Sequence, residues 1–575
     1  MERDQRDRPS KVLVVGLDGG TYTVLHPLMD KGEMPTLAAM IEGGSWGELI
    51  STIPPHTAPA WASFITGKNP GKHGVFQFVP IDRSLYEGRR TRIVNSGTLS
   101  GQALWNIIGQ ADKKVGVINV PLTYPPNEVN GFMVTGMLTP RESRHFTYPP
   151  HLASFLGDYK IDISVGEEEY GVLDDLNTDH PEVLAAFIEE LTSLVDMRTE
   201  TAIRMIEMYT PDFFIMLFTE TDRLQHILWP WLQSNRLQFE SQAERKLAEA
   251  VAHFYRNLDH NLAKLIKIAG EQTIKIFMSD HGFGPSTKKN VNFNVWLQDE
   301  GFLRLQKNPR SLLNPRHWLK RMGLNRENLY CLISSVLSGK VVRKLEKTWG
   351  RVVSTPIDWS RTKAVFVPIF EFVGGIQIIS PDDVQQPEWR TSGDYEDFRN
   401  SLMQQLLELR DPQTNGPIVL QAYKREGLYQ GAHTCDAPDI IFVMATDYRG
   451  DRSLLSKSLV HEKFQNISLW RGTHRREGLV VFNGPHISPG RLSATPQIQD
   501  LTPTILYLLG IPIPEDMDGR VIKEIVEASY LARNEIEYSR PTSPLKEDSE
   551  AGTMELSEEE AEKVRKQLES LGYIS

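Results

Sequence analysis

Side chains of the types that bind metal ions occur in four separated segments of this 575-residue chain. They are Asp18 in GLDGG, Asp222 and His226 in TETDRLQH, Asp280 and His281 in SDHGFG, and His474 in RGTHRREG. The spacing of Asp222 and His226 places both on one side of a helical turn. Mixed carboxylate and imidazole ligands suit zinc, with manganese or iron as alternatives if carboxylates dominate. Taken alone, each piece is also typical of a helix cap or of a chance pair in a helix.

Thr57 is a further candidate, in the segment STIPPHTAPAWASFITGKNPGKHGVF. The prolines on both sides preclude a long helix up to this point, so we expect its hydroxyl at the entrance to a helix over 60–66. A helix start offers free backbone N–H groups and a positive dipole, which suit a phosphate oxygen. From the residues alone, a plain N-cap threonine is an equally good interpretation.

Apolar runs of β type precede three of the candidate aspartates. KVLVVGLDG ends at Asp18, DFFIMLFTETD at Asp222 and TIKIFMSDHG at Asp280, and KKVGVINVPL, APDIIFVMA and GLVVFNGP are further runs of the same kind. Helical stretches such as 180–209 and 243–269 lie between them. Continuous apolar strands are typical of a parallel sheet buried on both faces, which predicts a doubly wound, mostly parallel α/β core flanked by helices. Ligands of such folds lie beyond the carboxyl ends of the strands, so the three aspartates indicate one site.

The amino-acid composition of the chain argues against some classes of function and favours one cellular compartment. The net charge of −11, from 63 basic and 74 acidic residues, argues against a dedicated nucleic-acid binder. The two cysteines are too few for a thiolate metal cluster or a disulfide framework, which fits a reducing compartment. No secretory segment precedes the first apolar strand, and no apolar run approaches the roughly 20 residues of a membrane helix. We therefore expect a cytoplasmic protein without a transmembrane segment.

Two segments interrupt the α/β pattern. Residues 304–351 carry twelve Lys or Arg against two acids. They predict a helical insertion that is either a solvated face or a lid or docking patch for an anionic substrate. Near the end, a disordered linker precedes LSEEEAEKVRKQLESLGYI, where Ser557 and Glu560 form a capping-box pattern, so we expect a terminal helix that docks on the core or on a partner. The predicted divisions are 1–303 and 361–530 for the two parts of the catalytic core, 304–360 for the basic helical insertion, and 531–575 for the linker and amphipathic helix.

The order of these motifs resembles that of the alkaline phosphatase superfamily, in particular its type I phosphodiesterase/nucleotide pyrophosphatase branch. The quoted landmarks are GLDGG at 16–20, TAPAWASFITGKNPGKHGV at 57–75, TETDRLQH at 219–226, SDHGFG at 279–284, GTH at 472–474 and IQDLTPTILYLLGIPIPEDMDGR at 498–520. The overall pattern also resembles a prokaryotic phosphohydrolase or phosphomutase group. The resemblance implies an alkaline phosphatase-like core that carries the variable insertion.

The resemblance also implies two divalent metal sites and a role for each candidate residue. One site would use Asp18, Thr57, Asp280 and His281, and the other would use Asp222, His226 and His474. Ionised by metal contact, the Thr57 hydroxyl would attack phosphorus in line and form a covalent phosphothreonine intermediate. The second metal would stabilise the leaving oxygen and then supply hydroxide. Because neutral imidazoles are needed as ligands, activity should fall in acid.

The sequence departs from the family pattern at a position that bears on the substrate. Nucleotide pyrophosphatases carry an asparagine shortly after the GxxxxxHG stretch, where it holds a phosphate oxygen, and Phe78 takes that position here. Either Gln77 or Asn294 would replace it as a substrate contact, or the substrate is not a nucleotide. The motif TAPAW lacks the modified Cys or Ser and the following arginine of sulfatases, which argues against a sulfatase.

The leading hypothesis is a metal-dependent phosphohydrolase of the phosphodiesterase or nucleotide pyrophosphatase type. Its partner would be an anionic, phosphate-containing small molecule or head group. A phosphomutase or phosphoryl transferase on the same core is the alternative, because the basic insertion could close over the site and exclude water. A catalytically dead scaffold is disfavoured, since all seven ligand positions carry competent side chains. Neither the oligomeric state nor the natural substrate follows from the sequence.

Overall fold

The chain forms two compact units in the computed structural model. The residues described are 11–79, 93–163, 181–232, 241–306, 357–379, 393–454, 456, 458–462, 471–541 and 556–570. The first unit comprises 1–79, 92–285 and 469–575, and the second comprises 80–91 and 286–468. The domain boundaries predicted after residues 303, 360 and 530 stay predictions.

Strands occur in both units. In chain order they are β1 (Lys11–Leu17), β2 (Ser45–Ile50), β3 (Val115–Ile118), β4 (Gly131–Val134), β5 (Thr147–Tyr148), β6 (Phe213–Phe218), β7 (Thr273–Met278), β8 (Gly282–Pro285), β9 (Lys289–Val291), β10 (Ala364–Phe370), β11 (Val373–Ile378), β12 (Val419–Lys424), β13 (Ile440–Met444), β14 (Tyr448–Gly450), β15 (Val460–Glu462), β16 (Gly472–Arg475), β17 (Glu477–Asn483), β18 (Gly490–Arg491), β19 (Ile513–Pro514) and β20 (Tyr538–Ser539).

Helices occur in both units as well. In chain order they are α1 (Tyr22–Asp30), α2 (Pro35–Glu42), α3 (Thr57–Thr66), α4 (Pro70–His73), α5 (Leu104–Gln110), α6 (Leu152–Leu156), α7 (Pro181–Tyr209), α8 (Glu220–Leu232), α9 (Gln242–Ala269), α10 (Phe293–Asp299), α11 (Gly393–Glu408), α12 (Arg425–Leu428), α13 (Leu501–Leu508), α14 (Ala528–Arg533) and α15 (Glu558–Ser570). The two long helices predicted over 180–209 and 243–269 are observed as α7 and α9.

The first unit is built on a sheet whose described strands run in the order β18-β2-β17-β7-β1-β6-β3-β4-β5. The central strands β7, β1, β6, β3 and β4 are parallel, whereas β17 and β5 pair antiparallel with their neighbours. Nearly every residue of β1, β6 and β7 is buried, which explains their unbroken apolar runs. The predicted α/β fold with a mostly parallel sheet flanked by helices is confirmed.

The second unit contains an antiparallel sheet in the order β10-β11-β13-β12, and a smaller one formed by β14, β9 and β15. The grouping of APDIIFVMA with the strands of the parallel core is wrong, because its strand β13 lies in this antiparallel sheet. Most residues of β13 are buried, so its sequence is an unbroken apolar run like those of the central strands of the first unit. The amino-acid composition of a run therefore does not distinguish a parallel strand from an antiparallel one here.

The predicted terminal helix is observed as α15, and it packs on the first unit. The capping box is formed, since the Ser557 N–H donates to Oε2 of Glu560 at 2.9 Å and the Glu560 N–H donates to the Ser557 hydroxyl at 3.2 Å. Val564 and Leu568 are each 1% exposed and belong to the core of that unit. Of the two docking surfaces that the sequence left open, the helix uses the core.

The basic segment predicted over 304–351 lies outside the described residues from residue 307 onward. No helix in the described part of the chain has both the length and the apolar character needed to cross a bilayer.

Docking of α15 on the core can be tested by shortening one buried side chain. Leu568→Ala should lower the free energy of unfolding by about 2–4 kcal/mol, because it leaves a cavity in a packed site. Urea denaturation followed by circular dichroism gives this value. Glu562→Ala, on the exposed face of the same helix, is the control and should change the free energy by less than about 0.5 kcal/mol. Equal effects of the two substitutions would contradict the docking.

Candidate functional site

The three aspartates predicted at strand ends lie beside one another. β7, β1 and β6 are neighbours in the sheet, and Asp280, Asp18 and Asp222 follow their carboxyl ends. Asp222 lies in the first turn of α8. All three side chains are buried. Parallel pairing of three strands thus brings together carboxylates that are far apart in the sequence, as the fold predicts.

Hydrogen bonds hold the loops that carry these aspartates. Gly19 has a φ of 66°, a left-handed conformation that favours glycine, and its N–H donates to Oδ1 of Asp280 at 3.3 Å. The Thr221 hydroxyl donates to the carbonyl of Asp18 at 2.6 Å, and the Gln225 side chain donates to the carbonyl of Gly19 at 2.9 Å. The first turn of α8 is therefore tied directly to the loop after β1.

A two-stranded ribbon presents His281 and His474. β8 begins immediately after His281 and pairs antiparallel with β16, which places Phe283 opposite His474. Gly472 allows β16 to approach α8 closely, because a Cβ there would lie 2.4 Å from the carbonyl oxygen of Gln225. The ring centroids of His281 and His474 are 3.5 Å apart, so the ribbon brings both imidazoles to the aspartates.

One group of predicted ligands consists of Asp222, His226 and His474. Oδ1 of Asp222 lies 3.4 Å from Nε2 of His226 and 3.3 Å from Nε2 of His474. The two Nε2 atoms are 3.1 Å apart. These three side chains offer ligand atoms that all lie within 4.8 Å of one another, so they could hold one metal ion.

A second group surrounds His281. Its Nε2 lies 3.4 Å from Oδ1 of Asp18 and 3.3 Å from Oδ2 of Asp280. Ligand atoms of Asp18, Asp222 and His281 also lie within 4.8 Å of one another. Asp222 is thus within reach of both groups, a proximity that the two residue sets implied by the resemblance did not include.

The three imidazoles are oriented by backbone carbonyls. Nδ1 of His226 lies 3.0 Å from the carbonyl oxygen of Gly472, Nδ1 of His281 lies 3.1 Å from that of Gly282, and Nδ1 of His474 lies 3.0 Å from that of Pro55. A carbonyl oxygen only accepts, so each Nδ1 carries the proton and each Nε2 presents its lone pair to the carboxylates. This arrangement is typical of histidines that bind metal through Nε2.

Burial and mutual repulsion dominate the electrostatics of the second group. Burial raises the pKa of Asp18 well above its usual value, and the carboxylates of Asp280 and Asp222 raise it further. Burial also raises the pKa of Asp280 to about 7. The pKa values of His281 and His474 are lowered, chiefly by burial, which keeps both imidazoles neutral.

The side chains present fit a divalent cation. Both oxygens of Asp18 and Oδ2 of Asp280 are buried and accept no hydrogen bond from the described residues. Buried carboxylates in this state are costly unless a positive charge lies beside them. A divalent ion would supply that charge and bind the converging Nε2 lone pairs, and the mixed oxygen and nitrogen donors suit zinc or a similar metal.

Thr57 lies beside the second group. It is the first residue of α3, which begins three residues earlier than predicted because Pro59 is tolerated in a first helical turn. The N-cap residue is His56, so the interpretation of Thr57 as a plain N-cap is wrong. The Thr57 side chain is buried, and its Oγ1 lies 3.5 Å from Nε2 of His281. The hydroxyl is therefore placed among the predicted ligands.

The two proposed substrate contacts lie in different units. Gln77 is partly exposed and precedes the buried Phe78 in the first unit. Asn294 is buried in the second unit, where its amide nitrogen donates to the carbonyl of Arg452 at 3.0 Å and its Oδ1 accepts from the Phe366 N–H at 3.1 Å. Both ends of the Asn294 amide thus serve the packing of its own unit. Substrate contact by Gln77 or Asn294 stays a prediction.

Sequence reasoning missed a buried charged network behind Asp222. Arg223 lies 2.7 Å from carboxylate oxygens of both Asp222 and Asp162, and Arg198 pairs with Glu220 at 2.9 Å. Although burial alone raises the pKa of Asp222, the positive charge of the Arg223 guanidinium beside it acts to lower that pKa below its usual range. The position of Arg223 directly after the candidate ligand Asp222 could have indicated its role from the sequence. Nothing in the sequence indicates the role of Asp162, since its partner Arg223 is 61 residues away.

Part of the family-like pattern has a packing role. Asp516 pairs with Lys68, and Asp518 accepts from Lys72 at 2.5 Å and from the Asn69 N–H at 2.8 Å. These contacts join the stretch at the end of α3 to the landmark at 498–520 in the first unit. They hold the C-terminal end of the helix that begins with Thr57.

Comparison with known proteins gives one family match over most of the chain. The model of the family described as type I phosphodiesterase/nucleotide pyrophosphatase matches residues 12–459. No curated protein sequence matches the chain.

Two solved structures illustrate the structural similarity. Murine ectonucleotide pyrophosphatase/phosphodiesterase 5, inactive and in complex with AMP, has a TM-score of 0.45 at 14% identity over 87% of this chain and 95% of that one. Phosphonoacetate hydrolase from Sinorhizobium meliloti 1021, in complex with phosphonoformate, has a TM-score of 0.48 at 15% identity over 86% of this chain and 94% of that one.

Burial of Asp280 beside other carboxylates predicts that removing its charge stabilises the metal-free protein. Asp280→Asn should raise the thermal midpoint in the presence of a chelator and reduce the further rise when zinc is added. With a pKa of about 7 against a usual 3.8, ionised Asp280 costs stability increasingly as pH rises through this window, so the gain should be larger at pH 8 than at pH 5. Differential scanning fluorimetry measures both effects.

Asp411→Asn in the second unit is the matched control. Asp411 is also buried, but its carboxylate accepts from Lys289 at 2.7 Å, from the Tyr448 hydroxyl at 2.8 Å and from the Gln413 N–H at 2.8 Å. Its substitution should lower the midpoint with or without zinc. If Asp280→Asn lowers the midpoint of the metal-free protein to the same extent, the buried charge of Asp280 does not destabilise that protein.

Proposed function

Because the chain belongs to the type I phosphodiesterase/nucleotide pyrophosphatase family and is a hydrolase of phosphoester bonds, we propose that Thr57 is its nucleophile at a centre of two divalent metal ions. One observation carries this proposal. Oγ1 of Thr57 lies 3.5 Å from Nε2 of His281, whose lone pair is directed at Asp18 and Asp280 by the bond from Nδ1 to a backbone carbonyl. A buried hydroxyl in contact with a predicted metal ligand is suited to attack on phosphorus.

The reaction proceeds in two displacements on one phosphorus atom. In the first, the Thr57 hydroxyl gives up its proton, its Oγ1 forms a bond to phosphorus, and the bond from phosphorus to the leaving oxygen breaks as that oxygen takes up a proton. In the second, the oxygen of a water molecule forms a bond to phosphorus, the bond from phosphorus to Oγ1 breaks, and a proton of that water returns to Oγ1. The start of α3 supplies free backbone N–H groups beside Thr57, which can bind a phosphoryl oxygen.

Two sets of side chains hold the proposed ions. Asp18, Asp280 and His281, with Thr57, form one set, and Asp222, His226 and His474 form the other. The ions, for which we propose zinc, would favour ionisation of the Thr57 hydroxyl and offset charge on the phosphoryl oxygens. The His226 side chain is 10% exposed, whereas that of His474 is fully buried.

The substrate that fits this centre is an anionic, phosphate-containing small molecule or head group. Buried carboxylates paired with metal ions favour a phosphoryl group over a neutral ester. Phe78, at the position where nucleotide pyrophosphatases carry asparagine, is buried and offers no hydrogen bond from its side chain. A nucleotide is therefore one candidate among anionic phosphate compounds rather than the assigned substrate.

The nucleophile is tested by two substitutions at Thr57. Thr57→Ala should remove about 3 kcal/mol or more of transition-state stabilisation, a loss of roughly 10²-fold or more in kcat/KM. Thr57→Ser should retain measurable activity, because it keeps a hydroxyl. The measurement is hydrolysis of an aryl phosphodiester by zinc-loaded protein, with metal content determined for each variant.

Thr66→Ala provides the control on the same helix. Thr66 is also buried, but its hydroxyl donates to the carbonyl of Ala62 at 2.7 Å within α3. Activity should remain close to that of the natural protein. Near-normal turnover by Thr57→Ala that keeps its metal would overturn the proposed nucleophile.

Solvent labelling distinguishes hydrolysis from a mutase reaction, in which the phosphoryl group is returned to the same substrate molecule. In water enriched with oxygen-18, a hydrolase incorporates one solvent oxygen into the phosphate product, because water attacks the phosphothreonine. A phosphomutase returns the phosphoryl group to its substrate and incorporates none. Mass spectrometry of the product measures the label. A phosphorylated product without oxygen-18 would replace the hydrolase proposal with the mutase.

A further inference from the structure

Arg223 lies between two buried carboxylates. Its Nη1 is 2.7 Å from Oδ2 of Asp222, and its Nη2 is 2.7 Å from Oδ2 of Asp162. The Arg223 Nε also donates to Oδ1 of Asp162 at 3.4 Å. The side chains of all three residues are no more than 4% exposed. Charge-assisted bonds from a planar guanidinium in such a setting fix both distance and orientation.

The two carboxylate oxygens of Asp222 have different partners. Oδ2 is held by the guanidinium, whereas Oδ1 faces Nε2 of His226 at 3.4 Å and Nε2 of His474 at 3.3 Å. The carboxylate therefore presents one defined oxygen to this pair of imidazoles. Rotation of the carboxylate would break the 2.7 Å bond to the buried Arg223.

The orientation matters because Asp222 has a second group within reach. Its carboxylate also lies within 4.8 Å of ligand atoms of Asp18 and His281. Without a fixed rotamer, the same side chain could turn between the two groups. Arg223 is itself held by Asp162, which lies outside both groups.

We propose that Arg223, anchored by Asp162, is a positioning residue that assigns Asp222 to the metal site formed with His226 and His474. The inference rests on the proposed function, because it takes the two-metal centre as given. Beyond that function, the inference names Arg223 as the residue that determines which metal site Asp222 belongs to. Partners of metal ligands commonly set the affinity of a site in this way.

The test measures metal affinity without turnover. Metal-free protein is titrated with Zn²⁺ in competition with a chromophoric chelator, which gives a dissociation constant for each of the two ions in the natural protein. His474→Ala removes a ligand of one group only, so the constant that it changes identifies that site. The same titration is then applied to the variants of Arg223 and Asp162.

Arg223→Lys keeps the positive charge but loses the fork that bridges the two carboxylates. It should weaken Zn²⁺ binding roughly 10- to 100-fold at the site identified by His474→Ala, and leave the other constant unchanged. Asp162→Asn should weaken the same site by a smaller factor, because Arg223 remains but its anchor is weaker. Thermal midpoints and circular dichroism establish that each variant is folded.

Arg198→Lys is the matched control for loss of a buried guanidinium. Arg198 is as buried as Arg223, and it donates to Thr219 at 2.9 Å and to Glu220 at 2.9 Å. None of its hydrogen bonds to the described residues reaches a predicted metal ligand. Its substitution should lower stability as Arg223→Lys does, yet leave both Zn²⁺ constants unchanged.

Three outcomes would overturn the positioning role. Arg223→Lys could leave both constants unchanged, weaken both ions equally, or act no differently from Arg198→Lys. If Arg223→Lys does not fold, unchanged constants in Asp162→Asn would overturn it. Natural protein that binds fewer than two ions would count against the proposed function itself, and that result appears before any variant is made.

Discussion

Three carboxylates buried side by side, at the ends of β7, β1 and β6, are the constraint on which the rest of the centre depends. Burial raises the pKa of Asp18 and of Asp280, and repulsion from the neighbouring carboxylates raises the pKa of Asp18 further. The surroundings of the carboxylates differ. Arg223 neutralises Asp222 from behind, whereas the oxygens of Asp18 accept no hydrogen bond from the described residues, as suits ligands of the proposed cation.

The imidazoles are prepared for that cation by the backbone rather than by other side chains. Each of the three predicted histidine ligands bonds through Nδ1 to a carbonyl, so each presents an unprotonated Nε2. A carbonyl does not titrate and is held in place by secondary structure, which makes the choice of tautomer a property of the fold. The arrangement requires a glycine at position 472, because no side chain fits between β16 and α8 there.

The fold and the cluster could be predicted because both follow from patterns along the chain. Unbroken apolar runs that end at Asp18, Asp222 and Asp280 indicate parallel strands and a shared edge. Other features depend on distant partners. The run at β13 has the same composition as the central strands but lies in an antiparallel sheet. Asp162 stands in no motif, and its tie to Arg223 emerges only when the chain is folded.

The contact between Asp518 and Asn69 spans 449 residues of sequence, and it has a consequence for the order in which the enzyme is made. A chain leaving the ribosome carries Asp18 and the segment of α3 several hundred residues before His474 and the aspartates that hold the end of α3 emerge. Long-range contacts of this kind close late in folding. A nascent chain that already contains Thr57 therefore has no complete centre until His474 has been added.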